Sequence, residues 1–266
     1  MIKIAFFNCK GGVGKTTGIY SFCGVLAKQG KKVLTVDMDK QTNLTSTLLM
    51  NSVVPAATVY DVMSGLASPG DAVGKAMFKS RGNANPKYYG VDCMAGDKRL
   101  ENESLLSGID AAAFRDTLAE YSEAEGYSWM LVDMPPSNMW VNDIVLSGVV
   151  DYLIIPFSAD VYSVSGYADV MDTVQRARSM NPQLNVIGIY LSRYCTISVQ
   201  KYVRDKLEEF GEIFINIQIP NSADLQESIM MGSPISYYRQ FSKSRTAYEQ
   251  LVAEVTRRVK RMGGDA

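Results

Sequence analysis

Histidine is absent from this chain of 266 residues. That removes imidazole general-base catalysis and histidine-ligated metal centres, and leaves acid–base work to carboxylates, lysine, tyrosine, cysteine or water. The four cysteines (Cys9, Cys23, Cys93, Cys195) form no C-x-x-C pair and no zinc-type spacing, so free thiols in a reducing compartment are expected. No apolar run approaches the roughly 18 residues that a membrane span needs, and the few residues ahead of the first glycine-rich motif are too short for a signal peptide. A cytoplasmic protein is the expectation. Neither charge sign dominates: 27 Lys and Arg stand against 28 Asp and Glu. A globally basic nucleic-acid binder is therefore excluded, though a local basic patch is not, because phosphate contact needs only a few well-placed cations.

The residues that are present show a regular alternation. An apolar run over Ile2–Phe7 reads as a buried strand. Ile19, Phe22, Val25 and Leu26 then recur at helical spacing, Gly30 marks a stop, and a second strand covers Val33–Val36. Further strands are predicted at Tyr89–Met94, Trp129–Asp133, Tyr152–Pro156, Val186–Tyr190 and Ile213–Ile217. Helices are predicted at Ala111–Glu125, Val161–Ser179, Ser198–Phe210 and Ser244–Arg261. Residues 51–102 look irregular, with Gly, Pro and Ser interrupting short helical pieces. The alternation implies a single α/β domain over residues 1–266, built on a mostly parallel, doubly wound sheet with helices on both faces.

Between the first strand and the first helix lies Cys9-Lys10-Gly11-Gly12-Val13-Gly14-Lys15-Thr16-Thr17. A loop that cradles phosphate must turn tightly and bring backbone N–H groups close to oxygens, which favours glycine. The helix that follows points its positive end at the anion. Gly14-Lys15-Thr16 closes the G-x-x-x-x-G-K-[ST] pattern, with Cys9 in place of the first glycine. Lys15 is placed to reach the β- and γ-phosphates, the Thr16 hydroxyl to ligate Mg²⁺, and Thr17 to donate to the α-phosphate. Asp37 and Asp39 end the second strand, where ligands of open α/β sheets gather. Trp129-Met130-Leu131-Val132-Asp133 has the pattern of a strand that carries an acid to a metal. No Asn-Lys-x-Asp motif for guanine occurs, which favours ATP over GTP.

Lys10, a second lysine at the front of the loop, needs its own reason. The run Lys10–Thr17 resembles the deviant Walker A loop of the ParA/MinD group of P-loop ATPases. In that group the early lysine reaches the phosphates bound by the other subunit, so the resemblance implies an ATP-dependent homodimer with Lys10 acting in trans beside Lys15. Asp37-Met38-Asp39-Lys40-Gln41-Thr42-Asn43 is similar to the family's DxDPQxN segment, with Lys40 where proline is usual. The resemblance assigns Asp39 to the attacking water and Asp37 to the surroundings of the Mg²⁺. Met134-Pro135-Pro136-Ser137 is similar to a second nucleotide-sensing loop of the family. Ser192, Arg193 and Pro220 fall in segments that hold adenine in related proteins.

The C-terminal half resembles ParA/Soj-type partition ATPases in particular, with residues 51–128 the poorest match. It implies slow, partner-stimulated ATP hydrolysis, a ParB-like adaptor and nonspecific DNA as partners. The DNA candidates are Arg193, Lys201, Arg204, Lys243, Arg245, Arg257, Arg258, Lys260 and Arg261. The segment 255–266 lacks the bulky apolar face of a MinD-type membrane anchor, and Cys93 has no partner for the cluster of nitrogenase-iron-protein relatives. An alternative stays open: an ATP-switched protein-interaction module that positions a cargo other than DNA or regulates a partner. Asn221 and Asp224, standing where the family often carries arginines, favour that alternative.

Overall fold

The computed structural model describes residues 1–136, 139–158 and 166–264. Eight strands form one sheet: β1 (Ile2–Phe6), β2 (Val33–Asp37), β3 (Val73–Ser80), β4 (Asn83–Met94), β5 (Trp129–Asp133), β6 (Tyr152–Ser158), β7 (Asn185–Tyr194) and β8 (Phe214–Pro220). Their order is β3-β4-β2-β5-β1-β6-β7-β8. Every described pairing is parallel except β3 with β4.

The strands are apolar throughout because both faces of the sheet are covered, and alternate residues feed two separate cores. Ile2, Ile4 and Phe6 of β1, with Trp129 and Leu131 of β5, pack beneath the helices Lys15–Lys28 and Lys243–Arg261. Ala5, Met130 and Val132 point the other way, toward the helices Ala111–Ala124 and Gly166–Met180. The C-terminal helix buries Tyr248, Leu251, Val252, Val255 and Val259; its apolar stripe is thus committed to the core. Among the described residues no helix is long and apolar enough to cross a membrane.

Predicted strands and helices agree with the structure to within four residues at their ends, except that β4 begins at Asn83, six residues ahead of the predicted Tyr89, and that residues 161–165 of the Val161–Ser179 helix lie outside the described ones. The region read as irregular departs most from expectation. It contains an antiparallel hairpin, β3 and β4, turning at Gly82 with φ of 79°. In β3 the buried residues are Gly74, Ala76 and Phe78, an alternation of period two that small residues make faint. The register shifts between Lys75 and Met77, and again between Phe78 and Ser80, disturb it further. As an edge strand, β3 needs fewer large apolar residues than its neighbours.

The close approach of the first helix to the segment Pro234–Ser236 depends on Gly24. A Cβ there would lie 2.4 Å from Pro234 Cβ, and neither a pyrrolidine ring nor a helix backbone yields easily. Gly24→Ala is expected to destabilise the protein by about 1–3 kcal/mol, outweighing alanine's better helix propensity. Thermal unfolding followed by circular dichroism should show a melting point lowered by several degrees. An unchanged one would mean that the contact gives way.

Candidate functional site

The site lies where the strand order reverses, at the C-terminal ends of β1, β2 and β5, which is the crevice position of open α/β sheets. Pairing is in register, so Phe6, Asp37 and Asp133 come level with one another. The chain leaves β1 into the glycine-rich loop. Asn8, buried at the start of the loop, anchors it: its Nδ2 donates to the Pro156 carbonyl at 2.8 Å, and its Oδ1 accepts from the Lys10 N–H at 2.9 Å. Gly12 and Gly14 adopt φ of 73° and 87°, the left-handed region in which glycine alone is unstrained. The helix then starts at Lys15.

Lys15 is 7% exposed, and its ammonium donates to the carbonyls of Asn8 (3.1 Å) and Lys10 (3.3 Å). Burial pushes its pKa down, and the Asp133 and Asp39 carboxylates oppose that shift. The Thr16 hydroxyl donates to Asp133 Oδ2 at 2.6 Å, while Asp133 Oδ1 is buried without a hydrogen-bond partner. A buried carboxylate oxygen left over beside a threonine hydroxyl fits a hard cation. Mg²⁺ takes few protein ligands and completes its shell with phosphate and water, and a threonine hydroxyl beside one carboxylate is a set of that kind.

Asp37 is fully buried and plays a different part. Its Oδ2 accepts from the N–H (2.8 Å) and hydroxyl (2.7 Å) of Thr45, and its Oδ1 from the Asp39 N–H at 3.2 Å. Thr45 Oγ1 in turn accepts from Gly96 N–H at 2.8 Å. A Cβ on Gly96 would lie 2.8 Å from Asp37 Cγ, so that position admits only glycine without displacing the carboxylate. Asp37 therefore sets the backbone from which Asp39 projects. The chain has turned by then, so strand alternation does not place the two acids. Asp39 lines the main cleft, with Oδ1 accepting from Gln41 N–H at 2.9 Å. Lys40, found where the family pattern has proline, forms an ion pair with Glu101.

Burial and the neighbouring Asp37 push Asp133 up to about 8, and burial pushes Asp37 up to about 6. In the unfolded chain both titrate near 4. The folded state therefore holds protons that the unfolded state releases between about pH 4 and pH 8, and stability falls as pH rises through that window. The metal-free, nucleotide-free protein is expected to melt at progressively lower temperature from pH 5 to pH 8. Asp133→Asn should flatten the dependence, because the amide stays neutral. Melting curves in chelator across that range check this; a flat wild-type profile would show that the pair ionises freely.

The main cleft has a volume of about 650 Å³. Gly11, Gly12, Gly14, Lys15, Thr16 and Thr17 line one end, whereas Ile219, Pro220, Leu225, Ile229 and Tyr248 contribute an apolar end. Val13 is buried, its carbonyl held by the Ser192 hydroxyl at 2.5 Å. Ser192 also sits 3.1 Å from the Phe157 carbonyl, so its hydroxyl is engaged with backbone. Arg193 Nη1 donates to the Gly12 carbonyl at 2.9 Å. Both residues line the main cleft and hold the phosphate loop, where the sequence reading named them as adenine contacts; Pro220 lines the same cleft among the apolar residues. Lys10 is exposed and lies in a smaller adjoining cleft with Arg193, Gln200 and Asn221. Ser137 of the Pro-Pro loop is outside the described residues, while Pro136 reaches the main cleft.

Sequence reasoning missed Asn8, Thr45, Gly96 and the apolar end at Leu225, Ile229 and Tyr248. An asparagine directly ahead of the loop was a local signal for the first. Nothing local marks the others, which reach the site from 8 to more than 100 positions away along the chain from the acids and loop they serve.

The family described as an AAA domain matches residues 1–186. The chromosome partitioning protein ParA of Caulobacter vibrioides is 28% identical over 263 residues, spanning 96% of this chain and 94% of that protein. The chromosome-partitioning ATPase Soj of Thermus thermophilus is 30% identical over 264 residues, spanning 97% of this chain and 96% of its own length. Among solved structures, cobyrinic acid a,c-diamide synthase from Mycobacterium smegmatis, with bound ADP and magnesium, superposes with a TM-score of 0.78. It is 22% identical, covers 98% of this chain and 96% of its own, and shares the fold. With a phosphate loop, a buried acid at the threonine that follows it and whole-length similarity to these relatives, the chain belongs to the ParA/Soj family of P-loop partitioning ATPases.

Proposed function

We propose that residues 1–266 act as one ATPase domain that binds ATP with Mg²⁺ in the main cleft and pairs with a second copy when ATP is bound. The observation that carries this reading is the Thr16–Asp133 hydrogen bond with its leftover buried carboxylate oxygen, set at the polar end of a cleft whose other end is apolar. The triphosphate lies along Gly11–Thr17, with Lys15 at its terminal groups, and the base lies against Ile219 and Pro220. Thr16 and Asp133 hold the metal, which neutralises developing charge on the phosphates. Asp37 fixes the turn, and Asp39 orients the attacking water. Lys10 lies outside the main cleft and, as the family resemblance implies, reaches the second copy's nucleotide.

Calorimetry with ATP, with and without magnesium, tests this on the purified chain. Binding that needs the metal is expected; absence of heat with adenine nucleotides would overturn the reading. As in ParA-type proteins, slow hydrolysis stimulated by a ParB-like adaptor would reset the cycle.

Nonspecific DNA is the cargo that the family points to, and the basic C-terminal face is its candidate surface. One set of observations favours the alternative of a protein-interaction switch. Arg204 pairs with Asp205, Arg245 with Glu249, and Arg257 and Arg258 with Glu254. Arg258 also donates to the carbonyls of Ile187 and Glu212, and Asp224 is engaged by Arg239. Four of the nine candidate cations are thus already ion-paired within the chain. A gel-shift assay with nonspecific duplex at two salt concentrations separates the readings. ATP-dependent binding that weakens steeply with salt supports DNA; an affinity that ATP leaves unchanged supports the switch.

A further inference from the structure

Two described residues other than glycine have positive φ, Thr42 at 51° and Arg193 at 53°. Side chains with a Cβ disfavour this region, and such residues persist only where their surroundings impose it. Both stand at the main cleft. Arg193 lines it, and Thr42 lies between Gln41 and Asn43, which do the same.

At Arg193 the source of the constraint is visible. It lies in β7, one residue before the strand ends, next to Ser192. The two consecutive side chains hold two consecutive carbonyls of the phosphate loop: Ser192 that of Val13, and Arg193 that of Gly12. A peptide unit whose carbonyl is held on one side presents its N–H on the other. Tying down these oxygens therefore fixes the direction of the next N–H groups, and with it how the phosphates are aligned for transfer. The same strand end is linked to the apolar end of the cleft, because Asn221 N–H donates to the Tyr194 carbonyl at 2.9 Å, directly after Pro220. Residues 192–194 thus connect the two ends of the cleft through three hydrogen bonds.

We propose that Arg193 is a positioning residue for phosphoryl transfer: its guanidinium anchors the Gly12 carbonyl so that the loop keeps its amides in reactive alignment, and its left-handed backbone links that anchor to the segment under the base. This inference rests on the ATPase reading above. It moves Arg193 from recognition of the base to geometry of the phosphates. Its removal should therefore affect turnover more than affinity, since small misplacements cost rate steeply.

The test compares wild type, Arg193→Ala, Arg193→Lys and Arg193→Gly by single-turnover hydrolysis of ATP and by calorimetric affinity for ATP. Arg193→Ala is expected to hydrolyse at least about tenfold more slowly while its Kd for ATP changes by less than about threefold. Arg193→Lys should recover much of the rate, because an ammonium still donates to the carbonyl. Added guanidinium should partly restore the alanine variant. Arg193→Gly relieves the backbone, so it should match or exceed the alanine variant in heat stability and yet be no faster; a rate that follows melting temperature instead would overturn the proposal. So would a wild-type rate in Arg193→Ala, or equal losses of affinity for ATP and adenosine, which would return the residue to the base. A wild-type chain that fails to bind ATP overturns the ATPase reading itself, whereas normal wild-type turnover matched by the alanine variant overturns this inference alone.

Discussion

Asp39→Ala is expected to abolish ATP hydrolysis, by about 100-fold or more, while leaving ATP binding and ATP-driven pairing intact. The geometry separates these properties. Asp39 stands on the wall of the cleft with one carboxylate oxygen engaged by Gln41 N–H, and it takes no part in the hydrogen bonds that shape the phosphate loop. The turn beneath it depends on its backbone N–H, which donates to Asp37 and survives the substitution. Phosphoryl transfer is governed by positioning and charge, so losing the group that orients water slows the chemical step without loosening the triphosphate. Single-turnover hydrolysis and sedimentation with and without ATP measure the two effects. Normal turnover would show that another group orients the water, and loss of binding would show that Asp39 shapes the ground state.

Lys15→Ala should act in the opposite sense, weakening ATP by about 100-fold or more, since charge-assisted contacts to phosphate are among the strongest that a side chain makes. The ammonium is buried against loop carbonyls, near Asp133 and Asp39, so its charge is held at the polar end of the cleft. Lys10→Ala provides the internal contrast. Lys10 is exposed and lines the smaller cleft rather than the main one. Its loss should leave monomer affinity within about threefold of wild type and impair pairing. Calorimetry and sedimentation on both variants distinguish these roles; equal loss of ATP affinity would place both lysines in one subunit's site.

The hierarchy of charges explains why these two positions dominate. Asp133 and Asp37 are level on adjacent strands and burial pushes both up, because two carboxylates side by side in a buried site call for positive charge close by. Lys15 supplies part of that charge, and a bound divalent metal would supply the rest. Binding metal therefore releases protons and should oppose the decline in stability toward pH 8.

Much of this was legible in the residues alone. Gly12, Gly14, Lys15 and Thr16 are neighbours in the chain, and their conformational and chemical demands are local, so the loop, its helix and its phosphate chemistry follow from spacing. Alternating apolar runs placed seven of the strands for the same reason. Strand β3, and with it the hairpin to β4, was hidden because an edge strand buries small residues at shifted register, and its period-two signal falls below that of the runs beside it.

Ser192 and Arg193 show where local reading ends. Both line the cleft, but which loop carbonyls they hold is set by how far β7 runs and where the chain turns. Only the packed sheet decides that. Likewise, nothing near Asp37 in sequence says that Thr45 holds it or that Gly96 must lack a Cβ to let it sit. The sequence by itself determined the nucleotide chemistry, because a phosphate loop is a contiguous device. The tertiary structure decided which partners hold Asp37 and which residues hold the loop, because those contacts depend on distances between segments that meet only once the sheet has formed.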